Sequence, residues 1–140
     1  MTLDVVAPLV GAPDAHVVDY EVQRFLSLGW QAYVRIVRDA AGGELPAAVV
    51  REITTNFDDE CHGGDVMMMG IRATQRSRRS YVLHVELWNA TTGRTVARSR
   101  VVMTGIDRST GRAGEPPARF WEAMDTLEGH PVPVATRHER

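Results

Sequence analysis

Residues 20–40, YEVQRFLSLGWQAYVRIVRDA, decide the fold. Val22, Phe25, Leu26, Gly29, Trp30, Tyr33 and Val37 recur at steps of three and four, so they share one face of a helix. Arg24, Ser27, Gln31, Arg35 and Arg38 fall on the opposite side. Asp19 stands where an N-cap would, and Gly42-Gly43 follow the last turn as a stop signal. The pattern predicts a helix over about 20–40, long enough to cross a small domain. Leu28, on the otherwise polar side, is a candidate contact with a partner.

Outward from that helix the period changes. Leu3–Val10 reads as a first strand, closed by the turn-forming Gly11-Ala12-Pro13-Asp14. After Pro46, strands are predicted at about Val49–Phe57, Asp65–Gln75, Ser80–Asn89 and Thr95–Asp107. In the third of these, Tyr81, Leu83, Val85 and Leu87 alternate with Val82, His84, Glu86 and Trp88, as in a sheet with two different faces. The breaks at His62-Gly63-Gly64, Arg76-Ser77-Arg78-Arg79 and Thr91-Thr92-Gly93 are turn chemistry. Pro116-Pro117 ends the sheet region, Arg119–Leu127 is a candidate terminal helix, and residues 129–140 read as a mobile tail. One strand, one long helix and four strands with short links form an α+β order with antiparallel pairing. The expectation is a single domain over 1–128, with a curved antiparallel sheet of about five strands wrapped round a long central helix.

Composition bounds the function. At 140 residues the chain fits one domain, and its 44% apolar share is ordinary for a globular protein. No stretch approaches the roughly 18–20 apolar residues that span a bilayer, and the start lacks the pattern of a signal peptide. A net charge of −2 argues against a nucleic-acid or membrane-surface binder. The single cysteine, Cys61, forms no internal disulfide and leaves no Cys-based zinc pattern, so the expected compartment is the cytoplasm. His16, His62, His84, His130 and His138 show no metal-ligand spacing, and no metal or cofactor is expected. Every basic residue besides His is Arg, which removes Schiff-base and Walker-lysine chemistry. Nucleophile-elbow and dinucleotide-binding patterns are absent.

Segment 16–26, HVVDYEVQRFL, resembles the H-V-N-N-x-x-Y-L-R-aromatic stretch at the helix start of thioesterases in the 4-hydroxybenzoyl-CoA class. His16 and Val17 match, Asp19 takes the second Asn position, and Arg24-Phe25 take the Arg-aromatic pair. Phe57 followed by Gly64-Asp65 is similar to that family's F…GD signature, and IDRSTGR at 106–112 to its closing tail. The resemblance covers roughly residues 3–118 and implies a hotdog fold. It also implies a homodimer or dimer of dimers that binds acyl-CoA or acyl-carrier-protein thioesters between subunits. The chain departs from the pattern at Ala12, where the family has Asp, at Ala15 for Gly and at Val18 for Asn.

Thioester hydrolysis needs a donor to polarise the carbonyl, a carboxylate to drive attack and a slot for the acyl chain. Unpaired backbone N–H groups at the helix start, over Asp19–Val22, are candidate donors, with Val17 and Tyr20 beside them for binding. Asp14, Glu60 and Asp19 are the candidate carboxylates, and His16 a candidate for orienting water. Each has a plain structural alternative: a turn Asp, a loop acid, a cap and a turn-fixing His. Asn56, with Thr55, is a candidate water holder. Arg76, Arg78 and Arg79 crowd one turn and offer forked donors for the phosphates of coenzyme A, or simply a solvated hairpin. Met67-Met68-Met69 reads as core filling ahead of an acyl slot. Adjacent Cys61 and His62 point opposite ways in extended chain and form no nucleophilic pair. The expected function is an acyl-thioester hydrolase working at a dimer interface. The alternative is a non-catalytic acyl-binding or assembly subunit, supported by Ala12; a hydratase is weaker, for want of a placed Asp/His pair.

Overall fold

The computed structural model describes residues 1–6, 19–43 and 48–135. Its elements run β1 (Thr2–Val6), α1 (Asp19–Ala40), β2 (Ala48–Phe57), β3 (Val66–Arg76), β4 (Ser80–Asn89), β5 (Thr95–Gly105) and α2 (Ala118–Glu128). The strands form one five-stranded sheet in the order β1-β3-β4-β5-β2, with every pair antiparallel. Short turns make β3, β4 and β5 neighbours, and β1 and β2 take the two outer positions. Register shifts at Val50/Glu52, Ala73/Gln75 and Leu87/Trp88 mark bulges or irregularities, which sharpen the twist and let the sheet curl.

The helix lies across β3, β4 and β5 with Val22, Phe25, Leu26, Gly29, Tyr33 and Val37 buried. Opposite them, Met67, Met69, Ile71, Leu83, Val85, Leu87, Val101 and Met103 are nearly inaccessible. The helix comes close to the sheet at Gly29, where a Cβ would run into the Met69 sulfur and touch Ile71. Two of the three consecutive methionines thus fill the core, while Met68 faces the other side. This is the expected α+β arrangement, one long helix held by a curved antiparallel sheet. Leu28 is half exposed on the outer face of α1.

Several boundaries move for local reasons. The first strand is observed over Thr2–Val6, and residues 7–10 of the predicted Leu3–Val10 lie outside the described residues. β5 stops at Gly105 rather than Asp107. There the chain turns back on itself, with Gly114 N–H donating to Gly105 C=O and Asp107 N–H to Arg112 C=O. A Cβ at Gly105 would meet the Gly114 carbonyl oxygen at 2.6 Å, so that turn needs a bare backbone.

Helix α2 closes one end of the core. Phe120, Trp121 and Met124 are buried, and Tyr81 packs on Phe120 and Trp121 with ring centroids 5.5 and 5.9 Å apart. The helix ends at Gly129, whose φ of 80° caps it in the left-handed region. Residues 129–135 do not form the mobile tail read from the sequence. Val132 is buried, its N–H donates to the Asp125 carboxylate, and Arg76 exchanges backbone hydrogen bonds with Pro133 and Ala135. The prolines that suggested mobility instead suit a single extended strap along the end of β3. Residues 136–140 lie outside the described residues.

One carboxylate ties three elements together. Glu128 accepts the Tyr33 hydroxyl of α1 at 2.5 Å and the Ala73 N–H of β3 at 3.1 Å. Burial, and then this carboxylate, push the Tyr33 phenol well above its ordinary pKa. Tyr33→Phe keeps the ring and removes the donor. It is expected to lower the unfolding free energy by about 2 kcal/mol, a charge-assisted hydrogen bond, measured by urea unfolding. An unchanged midpoint would show that Glu128 needs only Ala73.

Candidate active site

The residues singled out from sequence separate to opposite ends of the molecule. Asp19 and Tyr20 begin α1, and Asn56 and Glu60 lie at and just past the end of β2; the Thr55–Gln23 hydrogen bond brings these two ends to the same end of the molecule. Arg76, Arg78 and Arg79 sit at the β3–β4 turn, next to Gly105 and hence to the start of β2, at the other end. Between the ends runs the 22-residue helix, roughly 33 Å long. Asp14, His16 and Val17 lie outside the described residues.

At the helix start, Asp19 is the first residue of α1, and its carboxylate accepts the Tyr20 N–H at 3.0 Å. Asp19 and Glu21 put two acids into the first turn, where the dipole favours them. Tyr20 is largely exposed. Below it a polar chain crosses from helix to sheet. Gln23 donates to Ser27 at 3.4 Å and accepts the Thr55 hydroxyl at 2.6 Å, and Thr55 meets Ser99 at 3.2 Å. Ser99 is buried, so this chain brings hydrogen-bonding groups to the apolar wall of the core.

Strand alternation decides which β2 side chains share that space. Thr55 faces the helix, whereas Asn56 pairs in register with Arg98 and faces away from α1. Of the two candidate water holders, Thr55 is therefore the one on the helix side of the strand. Ile53 and Phe57, on the same side as Thr55, are 41% and 52% exposed although both are large and apolar. Among the described residues, strand β2 has a sheet partner on one side only. Together the flank of α1 and the uncovered side of β2 make an apolar surface with a polar chain at its edge.

The link from β2 to β3 carries the other acids. Asp58 grips Arg98 with two hydrogen bonds, of 2.9 and 3.0 Å, and that pairing holds its carboxyl below the usual range. Asp59 accepts the Glu60 N–H at 2.8 Å and lies 3.4 Å from Arg94; both lower its pKa, the backbone bond more. Glu60 is exposed on this scaffold. Asp65 accepts the His62 N–H at 2.9 Å and the Asn89 amide at 3.1 Å, and Asn89 in turn accepts the Thr91 and Thr92 N–H groups. Asp65 therefore fastens the link to the β4–β5 turn. Cys61 is buried beneath it, and burial, then the Asp65 charge, push its thiol up to about 11. Such a thiol is no nucleophile at neutral pH.

At the far end, Arg78 lies 3.8 Å from Glu115. Arg51, Ser77, Arg78, Arg79, Ser80 and Thr104 line a groove of about 300 Å³. Arg76 has a structural position: its guanidinium lies over the Trp121 ring at 4.8 Å. Among the described residues no group of three or more His, Cys, Asp or Glu side chains is placed to hold a metal ion.

Gln23, Ser27 and Ser99 were not anticipated from sequence. Gln23 and Ser27 have helical i, i+4 spacing, but on a helix flank that spacing alone reads as solvated surface. Arg51 was missed because it is distant in sequence from the Arg turn and joins it only through β2–β5 pairing.

If Asp65 fastens the link, Asp65→Ala should loosen it and bare Cys61. Losing hydrogen bonds to a carboxylate worth about 1.5–3 kcal/mol each should raise the rate of Cys61 reaction with an aromatic disulfide reagent at pH 8 by roughly tenfold or more. Equal rates in both proteins would mean the link is held by other contacts.

No family model matches this chain, and no curated protein matches it in sequence. Solved structures do match. A thioesterase complexed with coenzyme A and zinc from Thermus thermophilus has a TM-score of 0.74 at 18% identity, over 94% of this chain and 96% of that one. A 1,4-dihydroxy-2-naphthoyl-CoA thioesterase from Synechocystis has a TM-score of 0.75 at 17% identity, over 93% and 98%. For 4-hydroxybenzoyl-CoA thioesterase from Pseudomonas the values are 0.72 and 16%, over 88% and 97%. The helix and five strands of this chain thus have the hotdog fold of those thioesterases.

Proposed function

We propose that this chain is an acyl-thioester hydrolase, acting on an acyl-CoA or an acyl-carrier protein. The observation that carries the reading is the start of α1. Beyond Tyr20, whose own N–H goes to Asp19, the first-turn N–H groups lie at the helix end that meets the last residues of β2, where Ile53 and Phe57 are exposed. Those groups carry the positive end of the helix dipole and suit the oxyanion of a tetrahedral intermediate. Water attacks the thioester carbon, a carboxylate takes its proton, and the thiolate leaves and is protonated. Asp14 or Glu60 is the proposed general base, Asp19 a second carboxylate in reach, and His16 orients the water. Val17, Tyr20, Ile53 and Phe57 would flank the acyl group. No cofactor is needed, because coenzyme A is part of the substrate.

The site is proposed to be complete only in a homodimer. The free edge of β2 and its exposed Val49, Ile53 and Phe57 favour antiparallel pairing with β2 of a second copy. That pairing reverses the strand direction, so the Arg78–Arg79 end of one chain comes to lie beside the helix start of the other. Arg78, Arg79 and Arg51 of one subunit would then hold the phosphates of a thioester cleaved on its partner. A second reading, a non-catalytic acyl-binding subunit, is favoured by one residue: Ala12 stands where the resembled family has Asp.

Free thiol release from a panel of short, long, branched and aromatic acyl-CoAs tests the assignment. Turnover of one class is expected, with kcat falling about 100-fold or more in whichever of Asp14→Asn and Glu60→Gln removes the base. The Arg78→Gln/Arg79→Gln double variant is expected to raise KM for the CoA thioester. A folded dimer that turns over neither acyl-CoA nor acyl-carrier substrates is the non-catalytic protein. A monomer by sedimentation at micromolar concentration would remove the shared site.

A further inference from the structure

The sheet face turned away from α1 carries a row that the proposed activity does not use. Register pairs Arg72 of β3 with His84 of β4, and His84 with Arg100 of β5. All three point away from the helix, because Ile71, Leu83, Val85, Val101 and their alternates fill the core side. Adjacent strands lie about 4.8 Å apart, so the two arginines flank the imidazole with Cα atoms roughly 10 Å from each other. Long, flexible stems let both guanidinium groups close over the ring from either side.

The neighbouring charges on this face are matched, and these are not. One step along the strands, Arg98 is held by Asp58 and faces Glu86, which accepts the Thr95 hydroxyl. No carboxylate among the described residues lies within ion-pairing distance of Arg72 or Arg100. His84 is half-buried between them; its burial first, then the two arginines, hold its pKa below the ordinary value. At neutral pH it therefore offers one N–H without adding a charge. Beside Arg72 and His84 opens a cavity of about 830 Å³, walled also by Arg98 and by the carboxylates of Asp58 and Glu86, where Gly70 contributes no side chain; Arg100 stands just outside it, across His84.

We infer that Arg72, His84 and Arg100 form a binding site for a phosphate group, either inorganic phosphate or a phosphate monoester, on the outer face of the sheet. Strand register sets two forked donors on either side of one imidazole N–H. A tetrahedral dianion presents acceptor oxygens to all three, whereas a carboxylate has only two, in one plane. The site is distinct from the Arg78–Arg79 groove. That groove borders the Ser80–Thr104 pair, four residues along β4 from His84, or roughly 13 Å.

Titration calorimetry with inorganic phosphate, in a buffer free of other oxyanions, tests the site. The reporter is the His84 ring signal, assigned by its loss in His84→Gln. Wild-type protein is expected to bind phosphate and move that signal. Arg72→Gln and Arg100→Gln, checked for native melting by circular dichroism, should each weaken binding at least about tenfold. Coenzyme A and 3′-dephospho-coenzyme A distinguish the sources. Competition by the first but not the second assigns the site to a nucleotide 3′-phosphate, and competition by neither to the free anion. Undisturbed His84 signals at saturating phosphate, or equal affinity in the Arg72→Gln/Arg100→Gln protein, would overturn the inference. So would a sheet-to-sheet assembly that buries the row and dissociates in Arg100→Glu.

Discussion

Everything in this molecule is positioned by the contact between the apolar face of α1 and the concave side of the sheet. At Gly29 the helix backbone lies directly on Met69 and Ile71. A helix set so close leaves no room for water, so its buried face and the inner side chains of β3, β4 and β5 form one core. The same closeness sets where the ends of the helix emerge. Its N-terminus opens beside the end of β2, and its C-terminal half is closed in by α2 and the Glu128 carboxylate.

Edge strand β2 follows a different logic. Its inner side chains lie beyond the helix, so Ile53 and Phe57 stay exposed on a face that in β3 and β4 is buried. A polar chain from Ser27 through Gln23 and Thr55 to Ser99 marks the border between the dry core and this open strip. Hydrogen-bonding groups beside apolar surface, with a helix N-terminus above, make an environment suited to a polar reacting group on an apolar chain. The opposite end has the complementary chemistry, with arginines and hydroxyls round a groove.

The outer face shows how a sheet can carry a second chemistry without disturbing the first. Alternation sends every second side chain away from the core, so Arg72, His84 and Arg100 are free of the packing constraints on Ile71, Leu83 and Val101. Arg98 and Asp58 neutralise each other one step away. The row therefore stands as a local excess of positive charge on a chain whose net charge is −2.

Local pattern was enough for the elements themselves. The helical period of residues 20–40, the alternation in Tyr81–Trp88 and the glycine-bearing turns fixed element type and order, because each depends on residues close in sequence. The motifs quoted from 16–26, 57–65 and 106–112 were enough for the hotdog expectation. What tertiary structure decided was proximity. Asn56 and Thr55 are equivalent in sequence, and only the pairing of β2 with β5 turns Thr55 toward the helix. Arg76 belongs to the same turn as Arg78 and Arg79, yet α2 captures it with Trp121. Residues 129–135 read as a loose tail, because nothing nearby in sequence reveals that Arg76 supplies their hydrogen bonds. Arg72, His84 and Arg100 are each separated by more than ten residues, and only a register set by two hairpins draws them into one row.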